Sequence, residues 1–449
     1  MKVKVLSRSH MQYMRETKHD IHKVERNYSP NLHPFETNRE YKRAINAVKI
    51  DRMFAKPFMS SLEGHSDIVQ TLAKHPTKLS TLLSGAANGE IKVWDISDGK
   101  CLKAITAHNS IVRNICVPLH GNYFFSVDDS NIKQWSFDHI YNTSTHSSQA
   151  LQPMNTLISK TVIHGMDIQR NKPFLMTCGE KVDLWEESRP QPLRTYRWGV
   201  DSVNCIKFNP IETDLCIGAA SDRSLQIYDI RKSEPLRKVV LNMRTNNIAW
   251  NPMEAFVFTA ANEDSDLYTF DMRNLKAALQ VHKDHVSAVI DVDYSPTGKE
   301  IVSGSYDKTI RIFGTESGRS RDVYHTKRMQ RLTSVVWTAD NKYIISASDE
   351  MDIRVWKAFA SEKLGFKTFR EQSTFDYQNK LMEKYANHPE VKRIARHRHV
   401  PKHVVQSSKE KRLMVSAEKR KESNRRLHSK PGTIGFVSER TKSIVSEEK

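Results

Sequence analysis

The residues of this chain best suited to chemistry lie near its C-terminus, where EVKRIARHRHVPKHV (390–404) interleaves Lys, Arg and His with single apolar residues. Two chemistries fit these side chains. His397, His399 and His403 are spaced so that they could ligate a metal, but Arg396, Arg398 and Lys402 beside them would repel a cation. Guanidinium forks suit phosphate oxygens instead. Lys392, Arg393, Arg396, Arg398 and Lys402 are therefore candidate phosphate-binding residues at helical spacing, with Ile394 and Ala395 to seat the helix on protein. A second basic stretch, SSKEKRLMVSAEKRKESNRR (407–426), adds Lys419, Arg420, Lys421, Arg425 and Arg426. It has too few apolar residues to fold alone and is expected to order on a partner. KRKESNRR (419–426) could also act as a nuclear-import signal.

Motifs for covalent or nucleotide chemistry do not appear. The chain holds no G-x-x-x-x-G-K-[ST], no G-x-S-x-G, no G-x-G-x-x-G and no H-E-x-x-H. A non-enzymatic protein without cofactor or metal is the expectation. Five cysteines, Cys101, Cys116, Cys178, Cys205 and Cys216, stand far apart without C-x-x-C pairing, which fits reduced, buried thiols. No run of eighteen apolar residues suggests a membrane span, and MKVKVLSRSH lacks the apolar stretch of a secretory signal.

The net charge of +18 is unevenly placed. Residues 1–56 hold 13 Lys and Arg against 6 Asp and Glu, and residues 357–449 hold 23 against 11. Residues 57–356 hold 34 against 35. A neutral centre with two basic ends is the pattern of a folded scaffold with arms for a polyanion.

The elements that would position those arms are repeats. SGSYDKTIRIF (303–313) recurs along the centre, and each copy closes on an aromatic: Trp94, Trp135, Trp185, Tyr228, Phe270, Phe313 and Trp356. The intervals are 41, 50, 43, 42, 43 and 43 residues. An acidic or amide residue often stands six positions earlier, as Asn88, Asp129, Asp222, Asp264, Asp307 and Glu350. Asp in a tight turn accepts backbone hydrogen bonds, and alternation such as Ile310 and Ile312 marks a half-buried strand. Upstream, His65, His108 and His285 precede apolar alternation and are expected to bond a neighbouring Ser or Asp as structural groups. Each unit thus reads as a four-stranded antiparallel sheet with the aromatic on its third strand. The pattern resembles the WD repeat and implies an all-β, seven-bladed propeller over 56–356.

Blade three lacks the turn acid, with Gly179 and Glu180 nearby, and YNTSTHSSQALQPMNT (141–156) before it reads as a surface loop. The last blade lacks a fourth strand in register, and KPFMSSL (56–62) is the expected donor, which would remove an open sheet edge. In YDIR and FDMR, Asp229 with Arg231 and Asp271 with Arg273 end the third strands of adjacent blades. WD proteins that serve as substrate receptors of cullin-RING ubiquitin ligases dock their adaptor through a W-D-x-R box at this place, so these four residues are a candidate adaptor site. Simple rim ion pairs are the alternative.

The flanks are predicted helical. Residues 1–55 form a basic extension whose helix starts near Glu36-Thr37-Asn38, with Tyr41, Ala44, Ile45 and Val48 on one face and Arg39, Lys42, Arg43 and Lys49 on the other. Residues 357–449 form a basic helical domain. Phe375, Tyr377, Leu381 and Tyr385 suggest one helix, and another begins at Pro389 and ends at Pro401.

Together, LHPFETNREYKRAINAVKIDRMFAKPF (32–58), the seven units and LMEKYANHPEVKRIARHRHVPK (381–402) resemble the WD-repeat, SOF-domain family. The resemblance implies a nucleolar scaffold of the small-subunit processome, associated with a small nucleolar RNP and pre-ribosomal RNA and acting in early pre-rRNA cleavage. Some members are described as cullin-RING substrate receptors, which is the alternative function.

Overall fold

The computed structural model describes residues 35–138, 152–199, 201–430 and 432–448. The N-terminal decapeptide and most of the Ser/Thr-rich stretch 141–156 lie outside these residues. The chain divides into two compact units, Lys56–Ala360 with Arg398–Lys449, and Met1–Ala55 with Ser361–His397.

The larger unit is a seven-bladed β-propeller. Its repeats become blades because each strand alternates side chains between two faces, and no blade can cover its apolar faces alone. All seven closing aromatics are buried to 2% exposure or less, each inside its sheet. Isoleucine, valine and leucine of neighbouring sheets fill the gaps, as where Leu62, Val69, Leu82 and Trp94 meet Ile345, Ile353 and Val355. The ring closes through Phe58–Leu62, which pairs antiparallel with Ile353–Lys357 and makes the seventh sheet from both ends of the repeat region.

The structural histidines show why the repeat carries them. His108 bonds Ser126 Oγ at 2.7 Å and Asp128 at 3.1 Å, and Trp135 Nε1 donates to the same Ser126 at 3.0 Å. His285 repeats this with Ser303 at 2.7 Å and Asp307 at 2.8 Å. In blade two the turn acid is Asp128, not Asp129. Asp128 caps Ser130 N and Asn131 N, while Asp129 turns outward to Arg113 at 2.9 Å. Blade three has no turn acid: only Glu180 and Lys181 separate Phe174–Gly179 from Val182–Glu186, the Gly179 N–H donates to the Lys181 carbonyl at 3.0 Å, and a Cβ at Gly179 would stand 1.9 Å from the Val162 carbonyl oxygen. Cys116, Cys178 and Cys216 are buried thiols, but Cys101 sits on an outer strand, Lys100–Thr106, and is exposed.

One sheet has five strands. Ile444–Glu448 pairs antiparallel with Arg237–Leu241 on the outer edge of blade four. Before it, α4 (Lys402–His428) runs 27 residues. The sequence expects this segment to order only on a partner, but α4 takes its tertiary contacts from the same chain. Val404 is 2% exposed, and Lys411 donates to Ser265, to Asp266 at 3.3 Å and to the His285 carbonyl at 3.3 Å.

Among its described residues the smaller unit packs three helices, α1 (Glu36–Met53), α2 (Phe369–Lys384) and α3 (Pro389–Ala395). In α1, Ala44, Ala47 and Val48 are buried while Lys42, Arg43 and Lys49 face water. α2 opens on a capping box between Thr368 and Glu371. Tyr41 stacks obliquely on His388 at 4.7 Å, and Glu40 binds Tyr385 at 2.9 Å. No helix among the described residues is long and apolar enough to cross a membrane.

Candidate nucleic-acid and adaptor interfaces

The basic residues expected on one helix fall on two units. α3 places Pro389 at its first turn, as expected, but ends at Ala395 and not at Pro401, which instead precedes α4. Lys392 and Arg393 ride on α3 and Arg396 caps it, all exposed. Lys392 and Arg396 also border a groove floored by Val48, Met382, Ala386 and Val391. Arg398 lies beyond the helix, in the propeller unit, with its Nε 3.8 Å from Asp322. The spacing of Arg393, Arg396 and Arg398 therefore does not become one helical face. Chain direction breaks at His397 because the backbone there leaves the helix, which composition does not reveal.

On α4, Lys402, Arg420, Lys421 and Arg425 are exposed. Lys419 is held by Glu439, and the Arg426 guanidinium lies 5.0 Å from the centre of the Phe436 ring. Lys419 first, and then Lys283, pull the Glu439 carboxyl down to about 2. Nothing in the local sequence pairs Lys419 with Glu439, and the partner arrives through the return of the chain to blade four. His399 stacks on His325 with centroids 5.6 Å apart. Among the described residues no three His, Cys, Asp or Glu side chains gather as a metal site.

The Asp-x-Arg turns are built alike. Arg231 binds Asp229 through its backbone N–H and Nε, each at 2.9 Å, and through a terminal nitrogen at 2.9 Å. Arg273 does the same to Asp271 at 2.9, 3.1 and 2.8 Å. Arg273 holds the Asp271 carboxyl below the usual carboxylate range. Burial opposes ionisation of Asp229, yet the Arg231 bonds leave it lowered as well. Both arginine side chains remain about two-thirds exposed, at 67% and 66%. They can accept a further partner on the outward side while the carboxylate fixes their direction.

Two residues that the repeat pattern did not single out support these turns. Arg194, on the outer strand of blade three, donates to the carbonyls of Ile230 at 2.6 Å and Lys232 at 3.3 Å. Arg237, on the outer strand of blade four, donates to Met272 and Arg273, both at 3.3 Å. Each turn is thus braced by the preceding blade. The signal is an arginine 37 or 36 residues before the arginine of the turn, visible only once the blades are set side by side.

Known proteins share both halves of this architecture. Residues 358–444 match a family model described as the Sof1-like domain. Residues 56–95, 99–136, 276–314 and 323–357 match the WD domain, G-beta repeat. Over 447 residues the chain is 54% identical to DDB1- and CUL4-associated factor 13 of Xenopus tropicalis and to that of Homo sapiens, with 99% of each chain covered. Protein SOF1 of Saccharomyces cerevisiae is 42% identical over 464 residues, covering 99% of this chain and 94% of its own. The WD40 beta propeller domain of Doa1 matches in structure with a TM-score of 0.57, over 67% of this chain and 96% of its own, at 17% identity, a likeness of fold alone. With full-length kinship at these identities and a Sof1-like domain following WD repeats, the chain belongs to the Sof1-like, WD-repeat family.

Proposed function

We propose that this protein is a non-enzymatic scaffold of the small-subunit processome, working in the nucleolus on early pre-ribosomal RNA processing. Its partners are pre-ribosomal RNA, small nucleolar RNP and other processome proteins. The observation that carries the reading is the separation of charge by structure. A propeller region of 34 basic against 35 acidic residues has little reason to attract RNA, while Lys392, Arg393, Arg396, Lys402, Arg420, Lys421 and Arg425 stand exposed on helices outside the blades. Phosphate neutralisation by such side chains is strong, salt-dependent and independent of base sequence. The resemblance of both flanks to SOF-domain proteins supports the same assignment. Sedimentation of nuclear extract tests it: the protein should travel in a large particle that collapses on RNase treatment. Sedimentation unchanged by RNase would overturn it.

A second reading is favoured by a separate observation. Two braced Asp-x-Arg turns on adjacent blades offer outward guanidinium groups, and relatives 54% identical carry a name that associates them with DDB1 and CUL4. In that reading the protein is a cullin-RING substrate receptor, and the adaptor meets Arg231 and Arg273.

A further inference from the structure

We infer that α4 has two faces with different work, a contact face that meets structured RNA and an anchor face that a C-terminal strap locks to the propeller. The inference rests on the RNA reading above and divides the basic residues within it. The helix is about 40 Å long at 1.5 Å per residue. Val404, Ser408, Lys411, Glu422 and Arg426 recur every three to four residues or multiples of that spacing, which puts them on one side. That side is the one with partners: Val404 is buried, Lys411 reaches Asp266, Glu422 pairs with Lys442 at 2.8 Å and Arg426 covers Phe436. Lys419, at the edge of the same side, binds Glu439.

The strap is residues 438–448. Glu439 also takes Lys283 at 2.9 Å. The Ala278 N–H donates to the Arg440 carbonyl at 2.9 Å, and the Asn242 N–H donates to the Ser443 carbonyl at 2.9 Å. Ser443 is 5% exposed, and Ile444–Glu448 completes the fifth strand of blade four. The strap therefore touches blades four and five and α4 at once. It positions the helix and removes Lys419 from the set of phosphate ligands.

The opposite side carries Lys402, Lys409 and Arg420, with Lys421 beside them. All four are exposed, and among the described residues none makes an ion pair. Spread over about 28 Å of helix, their cations meet no carboxylate among the described residues. Leu413, 69% exposed, lies between Lys409 and Arg420 on this face. A line of unpaired cations on a rigid rod suits the phosphate backbone of duplex RNA, which proteins meet through shape and phosphate contacts.

Binding of the full chain to a 20-base-pair RNA hairpin, measured from 50 to 300 mM salt, separates the faces. Replacing Lys402, Lys409, Arg420 and Lys421 by Gln should lower the salt slope by roughly 0.7 to 0.9 per contact, about three in all. The double variant Lys411→Met and Lys419→Met also removes two cations. It should leave the slope unchanged, yet hydrogen exchange in 402–428 and 438–448 should rise at least tenfold. Equal slope losses in the two variants, or no loss in the first, would overturn the inference while RNA binding itself stands. A wild-type chain with no salt-dependent RNA binding overturns the RNA reading and the contact face together, and the exchange measurement still decides the anchor. Binding of poly-glutamate in place of the hairpin would make the outward face a protein-docking surface and overturn the assignment.

Discussion

Phe58 lies opposite Trp356 in the seventh sheet, their rings meeting edge to face with centroids 5.6 Å apart at 74°. This pair joins the N-terminal side of the repeat region to its last complete strand. Leu62, at the other end of the same strand, is wholly buried against Ile353 and Val355. A chain lacking residues 1–62 should therefore lose the closing strand and melt well below the full chain. One lacking residues 1–34 should melt with it. Leu62→Ala should cost about 2 to 5 kcal/mol in urea unfolding, the range for a buried leucine that leaves a cavity.

Acid should loosen blade one through His65. Burial, and then the nearby Lys92, lower its pKa from 6.5 to about 4. The unfolded chain binds the proton more readily between these values, so this contribution to stability is complete above pH 6.5 and lost as pH falls toward 4. His108 and His285 are lowered by burial too, so a comparison within blade one isolates the effect. At pH 5 the His65 share is about 2 kcal/mol. Urea unfolding of the wild type and of His65→Gln at pH 7.5 and pH 5 should show a pH-dependent loss smaller by about that amount in the variant.

Arg231→Ala with Arg273→Ala should keep the propeller folded but cost about 1 to 3 kcal/mol in urea unfolding, because the Asp229 side chain, 7% exposed, loses its guanidinium partner. Adaptor co-purification should disappear if the second reading of function holds. Retained ligase components would make these arginines ordinary rim ion-pair residues.

The two-unit division separates the arginines near residue 395. Arg393→Glu with Arg396→Glu should leave propeller melting unchanged and reduce crosslinking to pre-ribosomal RNA, with accumulation of uncleaved small-subunit precursor. Arg398→Glu puts a second carboxylate near the buried Asp322 and should lower propeller stability by about 1 kcal/mol or more. Crosslink yield and thermal melting, measured on both variants, distinguish the two roles. Wild-type crosslinking by the first variant would make that stretch a protein-docking or import element.

Bracing of the Asp-x-Arg turns gives a separate readout. Arg194→Ala should raise hydrogen exchange at Lys232 and its neighbours, since the carbonyls of Ile230 and Lys232 lose their donor. Unchanged exchange there would show that the turn holds its shape without the preceding blade.

Period, strand alternation and turn chemistry are local properties, and they were enough to determine the blades of this protein. The aromatic spacing near 43 residues, the His–Ser bonds and the apolar face of α1 all follow from residues close in sequence or at a fixed repeat distance. The charge asymmetry was equally legible, because counting needs no coordinates. Which cations stay available was not legible. Lys419 meets Glu439 because the C-terminus returns to the edge of blade four, and Lys411 meets Asp266 across 145 residues. Arg398 parts from Arg393 because α3 ends at Ala395. An ion pair depends on distance in space, whereas sequence spacing fixes distance only within one regular element. Tertiary structure therefore decided which basic residues hold the protein together and which remain for a partner.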